Sequence, residues 1–411
     1  MKHILILFAL LLGAVTTYAE NTSNDIEVSV ITCSPGQEVY SLYGHTAIRV
    51  QNRTRGTDYV FNYGVFDFNT EHFVWKFVLG KTDYICAAAP WEYFVREYEK
   101  RGSSVVAQVL NLTDSEATKI SDYLLRNISK ENCTYRYNYL TNNCTTRVMD
   151  CIDSCIDGNL VYSWKDTIMT YRDILHQYTQ NYPWTQDGND FLLGANVDTV
   201  LSHRATCFIP EYYMNALSNA VVRNEFQDTR QLVARTETLV EAIPSMKNTD
   251  TPFPLNPMET GWLCFAIGLL IMGGEFITRK MLWCLDVILM LAQGLAGCLV
   301  LFVFIFSEHP TLDSNWIVGI LNPIPLIFLP CVVKAAWHNK RTYWHHFMAV
   351  WFAAFLLFIP WMPQQMPMLL IPLLATLLCR QVSYILHYGR IPINNPHKAD
   401  KTRKKATKKK K

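Results

Sequence analysis

Two residues in this chain have the types and surroundings to do covalent chemistry: His45 in Tyr43-Gly44-His45-Thr46-Ala47, and Cys144 in Asn142-Asn143-Cys144-Thr145-Thr146. A free thiol is mostly protonated near neutral pH, so it needs a base to become a good nucleophile. Histidine is the usual base, and a fold can bring the two together from distant parts of a chain. Cys144 stands among polar residues where a loop enters a helix. The unpaired N–H groups and the dipole of a helix N-terminus favour a thiolate and can also hold an oxyanion. Cys151 and Cys155 lie further along that helix, where this help has faded, and Cys133 lacks it. The plainer alternatives are a structural thiol at Cys144 and a hydrogen-bonded core histidine at His45. His72, His176 and His203 are rival bases, less well framed.

The elements that must position this pair are legible in outline. Ile26 to Cys33, Thr46 to Gln51 and Tyr59 to Phe68 read as strands, with Asn52 to Asp58 a hairpin connection between the last two. His45 thus projects from the start of a strand. Pro90 to Arg101 and Ser115 to Lys130 read as helices, the second capped by Thr113-Asp114-Ser115-Glu116. Thr141 to Ile156 is helical after Asn143, with Val148, Ile152 and Cys155 on one face. Ser218 to Ala242 reads as a helix as well. Residues 20 to about 250 suffice for a core of their own, and Asn248 to Pro254 reads as a linker.

The flanking segments place that domain outside the cytoplasm. Met1-Lys2-His3, the apolar run Ile4 to Val15 and the small residues up to Ala19 form a secretory signal over residues 1–19, with an uncleaved anchor helix as the alternative. From Gly261 the composition turns apolar. Val287 to Phe306 is uncharged and long enough for a hydrocarbon core of roughly 30 Å. Five spans follow, near 261–277, 284–306, 316–334, 344–360 and 368–388. Arg279, Lys280, Lys334, Lys340, Arg341, Arg380 and Arg390 fall on one side, which the positive-inside rule makes cytoplasmic. An exported domain followed by an odd number of spans ends on that same side.

The net charge of +2 hides an asymmetry, because Lys398 to Lys411 holds nine Lys or Arg and one Asp. Such a tail, spanning 391–411, suits anionic lipid; with no aromatic or folded motif among the lysines, nucleic acid is not the partner. Glu275 and Asp286 lie near cytoplasmic span ends, where hydration is cheap, and read as topological bookends. Seven Cys precede the spans: Cys33, Cys86, Cys133, Cys144, Cys151, Cys155 and Cys207. With Cys144 set aside, six could pair in an oxidising compartment, in a connectivity that spacing does not define. Cys151-x3-Cys155 without a nearby His favours thiols or disulfides over zinc, so no metal and no cofactor is expected. Cys264, Cys284, Cys298, Cys331 and Cys379 are small apolar residues of the spans.

Three stretches carry a resemblance: Tyr43 to Arg49, Phe61-Asn62-Tyr63-Gly64-Val65-Phe66, and Asn142 to Arg147. They resemble the Lnb N-terminal periplasmic domain family of Bacteroidetes, and the likeness continues through Tyr182-Pro183-Trp184, Leu193-Gly194 and Phe208-Ile209-Pro210. The apolar part resembles the membrane region of the same family of lipoprotein N-acyltransferases. The His-before-Cys order and the Asn-Cys step are also similar to the permuted NlpC-type papain-like superfamily, which includes lecithin:retinol acyltransferase. The fold this implies is an α+β papain-like periplasmic domain followed by an all-α membrane domain of about five transmembrane helices. Relatives of lecithin:retinol acyltransferase often carry a second His as orienting group. No matching His stands in the second strand here, which leaves Asn62 or Tyr43 for that part, with Asn143 supporting.

The resemblance implies a bacterial inner-membrane acyltransferase. Its partners would be a phospholipid acyl donor and a diacylated lipoprotein acceptor, joined through a thioester on Cys144 with His45 as base. Two alternatives stay open. One is a membrane-anchored cysteine peptidase or amidase acting on peptidoglycan stems, which would have little use for five spans. The other is a non-catalytic envelope binding module with Cys144 in a disulfide.

Overall fold

The computed structural model describes residues 25–66, 71–164, 168–243 and 253–388. The signal segment, most of the linker and the basic tail lie outside these residues. In chain order the strands are β1 Ile26–Cys33, β2 His45–Asn52, β3 Thr57–Val65, β4 Asp83–Pro90, β5 Val105–Leu110, β6 Thr134–Arg136, β7 Asn159–Val161, β8 Val221–Arg223, β9 Thr229–Gln231 and β10 Val233–Val240. The helices ahead of the apolar part are α1 Phe73–Val78, α2 Trp91–Arg101, α3 Asp114–Asn127, α4 Cys144–Cys155, α5 Tyr171–Thr179, α6 Pro183–Leu192, α7 His203–Thr206 and α8 Pro210–Ser218. Five more follow: α9 Pro257–Thr278, α10 Trp283–Phe306, α11 Ile324–Trp337, α12 Trp344–Phe358 and α13 Leu370–Tyr388. The chain forms two compact units. Of the described residues, the first holds 25–66, 83–164 and 202–243, and the second holds 71–82, 168–201 and 253–388.

The first unit is built on a seven-stranded antiparallel sheet in the order β10-β5-β1-β2-β3-β4-β6. Side chains alternate across a strand, so Val28 and Val30 of β1 join Ile48 and Val50 of β2 on one face, under Ile120 and Leu124 of α3 and Val148 and Ile152 of α4. Ile31, Ala47 and Ala107 point the other way, against Phe94 and Tyr98 of α2. β7, β8 and β9 make a small second antiparallel sheet. One expectation fails here. Ser218 to Ala242 is not a helix: α8 ends at Ser218, and the rest forms β8, β9 and β10. β10 pairs with β5 at the edge of the large sheet. Its residues Val-Ala-Arg-Thr-Glu-Thr-Leu-Val are β-prone but mostly exposed, so no apolar alternation betrays them. Charges along an exposed edge discourage pairing with other chains.

The second unit is helical. Five stretches are long and apolar enough to cross a membrane: Pro257–Thr278, Trp283–Phe306, Trp316–Trp337, Trp344–Trp361 and Leu370–Tyr388. The third opens with a 3₁₀ turn at Trp316–Gly319 before α11, with Pro330 inside the helix. Met290, Val300, Ile317, Phe352 and Leu374 share its core. Segments 71–82 and 168–201 group with these helices, although the sequence reads 20–250 as one domain. Arg172, fully buried, binds Asp190 at 2.6 Å and Asp198 at 2.7 Å. Glu275 and Asp286 are not hydrated bookends. Both are buried, and both bind Arg380 of α13, at 2.9 and 2.8 Å. Ser383 donates to Glu275 as well. Carboxylates near a span end can turn inward when a guanidinium on a facing helix satisfies them, since a buried charge is tolerated only when paired.

Candidate active site

His45 is the first residue of β2, and Cys144 is the first residue of α4. Helix α4 packs across β2 and β3, which brings the two side chains close enough to act on each other electrostatically. One residue beyond each, Thr46 and Thr145 are buried and share a hydroxyl–hydroxyl bond of 3.1 Å. That bond pins the helix start to the strand start. Both reactive residues are half-buried.

Each residue is held by a device that its neighbours supply. Gly44 has φ +79, and a Cβ there would lie 2.6 Å from the Cys33 carbonyl oxygen. Only glycine makes that turn at no cost, and His45 follows directly from it. Asn143 is the N-cap of α4. Its Oδ1 accepts the N–H of Thr145 at 2.9 Å and of Thr146 at 3.0 Å, while the Thr146 hydroxyl accepts the Asn143 N–H at 2.8 Å. This is a reciprocal capping box. Its Nδ2 donates to the carbonyls of Tyr139 and Phe208, both at 2.8 Å. Asn143 is thus tied into the backbone on three sides, and Cys144 is fixed with it.

Of the two candidate orienting residues, Asn62 on β3 meets the imidazole: its Oδ1 lies 3.1 Å from His45 Nε2. The Asn62 amide donates to the Val60 carbonyl at 3.4 Å, which sets the oxygen toward the ring. With the amide oxygen accepting, Nε2 carries the proton, and Nδ1 is left as the basic nitrogen. Tyr43 sits half-buried in the turn before β2. The rival histidines have other engagements. His176 is held by Asp190 at 2.9 Å, His203 stacks on Trp164, and His72 is exposed beside Glu71.

Each member of the pair draws the other toward its charged form. Burial works against charge on the Cys144 sulfur, yet His45, the Thr46 backbone N–H and the Thr145 hydroxyl together bring its pKa below the ordinary thiol value. Burial likewise works against charge on His45, but the Cys144 thiolate and the Asn62 bond raise its pKa above that of a free imidazole. Three other buried thiols behave oppositely: burial pushes Cys86 and Cys207 up to about 12, and Cys33 is raised further. All twelve cysteines are free thiols in this structure.

Several residues at the site carry no mark in the sequence. Thr46 and Thr145 are two. Tyr98 of α2 lies parallel to the His45 ring at 6.5 Å. Tyr135 of β6 packs on the Arg147 guanidinium, and its buried hydroxyl has no hydrogen-bond partner among the described residues. A Cβ built on Gly64 would lie 3.8 Å from that hydroxyl and 3.9 Å from Cys144 Cβ, so the phenol and the nucleophile border the same glycine. β6 is three residues long, and nothing in Thr-Tyr-Arg announces it.

Set against known families, residues 15–177 match the Lnb N-terminal periplasmic domain, and residues 247–390 match the Lnb transmembrane domain. No curated protein and no solved structure matches the chain.

Proposed function

The chain belongs to the Lnb family, and from that premise we propose that it is a lipoprotein N-acyltransferase with a papain-like catalytic domain. It would move an acyl chain from a phospholipid to the α-amine of a diacylglyceryl-cysteine lipoprotein. The observation that carries this reading is the Cys144–His45–Asn62 arrangement at a helix N-terminus, in a chain with five candidate membrane helices. Both substrates are lipid-embedded, which gives the spans a purpose that a soluble-substrate hydrolase lacks. The basic tail would lie in the cytoplasm.

In the first half-reaction the Cys144 thiolate attacks a phospholipid ester carbonyl, with the proton held on His45. Two N–H groups of the α4 N-terminus are already taken by Asn143. The oxyanion donors are therefore the Cys144 N–H and the Tyr135 hydroxyl, whose missing partner would be the substrate oxygen. Collapse of the intermediate breaks the ester C–O bond. His45 protonates the departing lysophospholipid oxygen and leaves the thioester. In the second half the lipoprotein α-amine attacks the thioester, His45 accepts its proton, and the thiolate leaves. A thioester suits this sequence, being activated toward amines while lasting in a site poor in water.

Trapping the acyl-enzyme tests the proposal. Purified full chain incubated with phospholipid should gain the mass of one acyl group on Cys144. The adduct should be labile to hydroxylamine, absent in Cys144→Ala and discharged by a diacylated lipopeptide. No adduct from a preparation with a free Cys144 sinks the transferase reading, and release of peptidoglycan stem fragments would replace it with a peptidase.

A further inference from the structure

The connection between β3 and β4 contains α1, Phe73-Val-Trp-Lys-Phe-Val78, five apolar residues out of six. In a water-soluble loop this composition would be buried, yet Val74 is 70% exposed and Trp75 57%. Large contiguous apolar exposure marks a surface that meets something other than water. What it meets is given by its neighbours in the second unit. Trp75 makes an edge contact with Phe302 of α10 at 5.8 Å. Leu295, Leu299, Phe302 and Phe306 recur at steps of four, three and four along one face of α10. Leu295, Leu299 and Phe306 are exposed there, as side chains facing lipid are. Trp75 extends this stripe sideways. Phe302 lies one turn inside the span end at Phe306, roughly 6 Å along the axis, the depth at which tryptophan collects in bilayers.

The backbone of this segment is finished as a low-dielectric setting demands. Three successive carbonyls at the end of α1 are each satisfied from Ser307-Glu308-His309. The His309 Nε2–H donates to Phe77 at 2.9 Å, the Ser307 hydroxyl to Val78 at 2.8 Å and the Glu308 N–H to Leu79 at 2.9 Å. Water could serve these carbonyls on an aqueous surface; in a bilayer only the protein can. Gly80, with φ +70, comes so close to this corner that a Cβ would lie 2.9 Å from the His309 nitrogen. Lys81 pairs with Glu308 at 3.3 Å, giving the charged end of the segment a headgroup-level position.

We propose that Phe73–Val78 is inserted in the outer leaflet of the membrane and contacts phospholipid acyl chains. The loop between two strands of the large sheet is thereby a lipid-binding element. This holds whichever reaction the thiol performs.

Photo-crosslinking in the full chain, reconstituted into phosphatidylethanolamine–phosphatidylglycerol vesicles, tests it. The photoreactive residue p-benzoylphenylalanine is placed in place of Val74, of Leu295 on the lipid face of α10, or of Tyr93, exposed on α2. Intact mass after illumination should show the gain of one phospholipid at Val74 and at Leu295 and no lipid adduct at Tyr93. A lipid adduct at Leu295 with none at Val74 overturns the proposal, as does a Val74 adduct formed only with protein. Because the readout is lipid contact and not turnover, its failure is separate from failure of the acyltransferase reading.

Discussion

The two units treat charge beneath the surface in opposite ways. At Arg380 the guanidinium has two carboxylates, Glu275 and Asp286, with Ser383 added to one of them. At Cys144 the thiol and the imidazole draw each other toward the charged form with the help of a few dipoles, and the Tyr135 hydroxyl, across Gly64, has no partner among the described residues. A fully paired cluster is inert and binds its helices together. An incompletely satisfied one keeps hydrogen-bonding capacity for a substrate. Structure and chemistry are separated by how completely polar groups are paired.

Breaking the reactive pair should have the largest effect. His45→Ala is expected to slow acyl-enzyme formation by roughly 10²–10⁴-fold, measured by intact mass in a time course, with unchanged thermal unfolding. On the structural side, Arg380→Met should leave two buried carboxylates unpaired and cost about 3–5 kcal/mol. This is to be read from thermal unfolding in detergent, and adding Glu275→Gln and Asp286→Asn should restore much of it. Equal stability of the single variant would mean that the cluster is hydrated after all.

Tyr135→Phe sharpens the contrast most. Removing an unpartnered buried hydroxyl should leave stability unchanged or improved, while the acylation rate drops on the order of 10²-fold. A loss of stability with normal acylation would make the phenol a packing residue.

The pH profile probes the pair itself. The thiolate–imidazolium form exists above the lowered Cys144 pKa and below the raised His45 pKa, as a property of the coupled pair. The acylation rate should therefore rise with pH through the first and fall through the second. Asn62→Ala removes one of the contributions that raise His45, so the falling limb should move to lower pH, with a rate loss of roughly tenfold for one hydrogen bond. A falling limb that stays in place would take Asn62 out of the site. The smallest effect belongs to the cap: Asn143→Ala should cost about 1 kcal/mol of stability and, by releasing the turn that fixes Cys144 in place, blunt the reactivity of Cys144 toward a thiol label.

What could be read ahead of the structure, and what could not, follows from how local each signal is. A five-fold recurrence of long apolar runs signals membrane helices by composition alone. Gly44 before His45 and Asn143 before Cys144 are short-range devices, a glycine turn and a helix cap, and they stand out within a few residues. The edge strand β10 reads as helix in the sequence because exposure on both faces erases its alternation. Glu275 and Asp286 were misread because position near a span end does not say which way a side chain turns.

By itself, then, the sequence determined which residues can react, the local turns that present them and the apolar segments that seek a bilayer, since each depends on neighbours along the chain. Only the tertiary structure decided that Asn62 meets His45, that Tyr135 and Cys144 border the same glycine and that α1 joins the membrane helices. Those are contacts between residues remote in sequence, made by strand pairing and helix packing, and no local pattern encodes a partner that arrives from elsewhere in the fold.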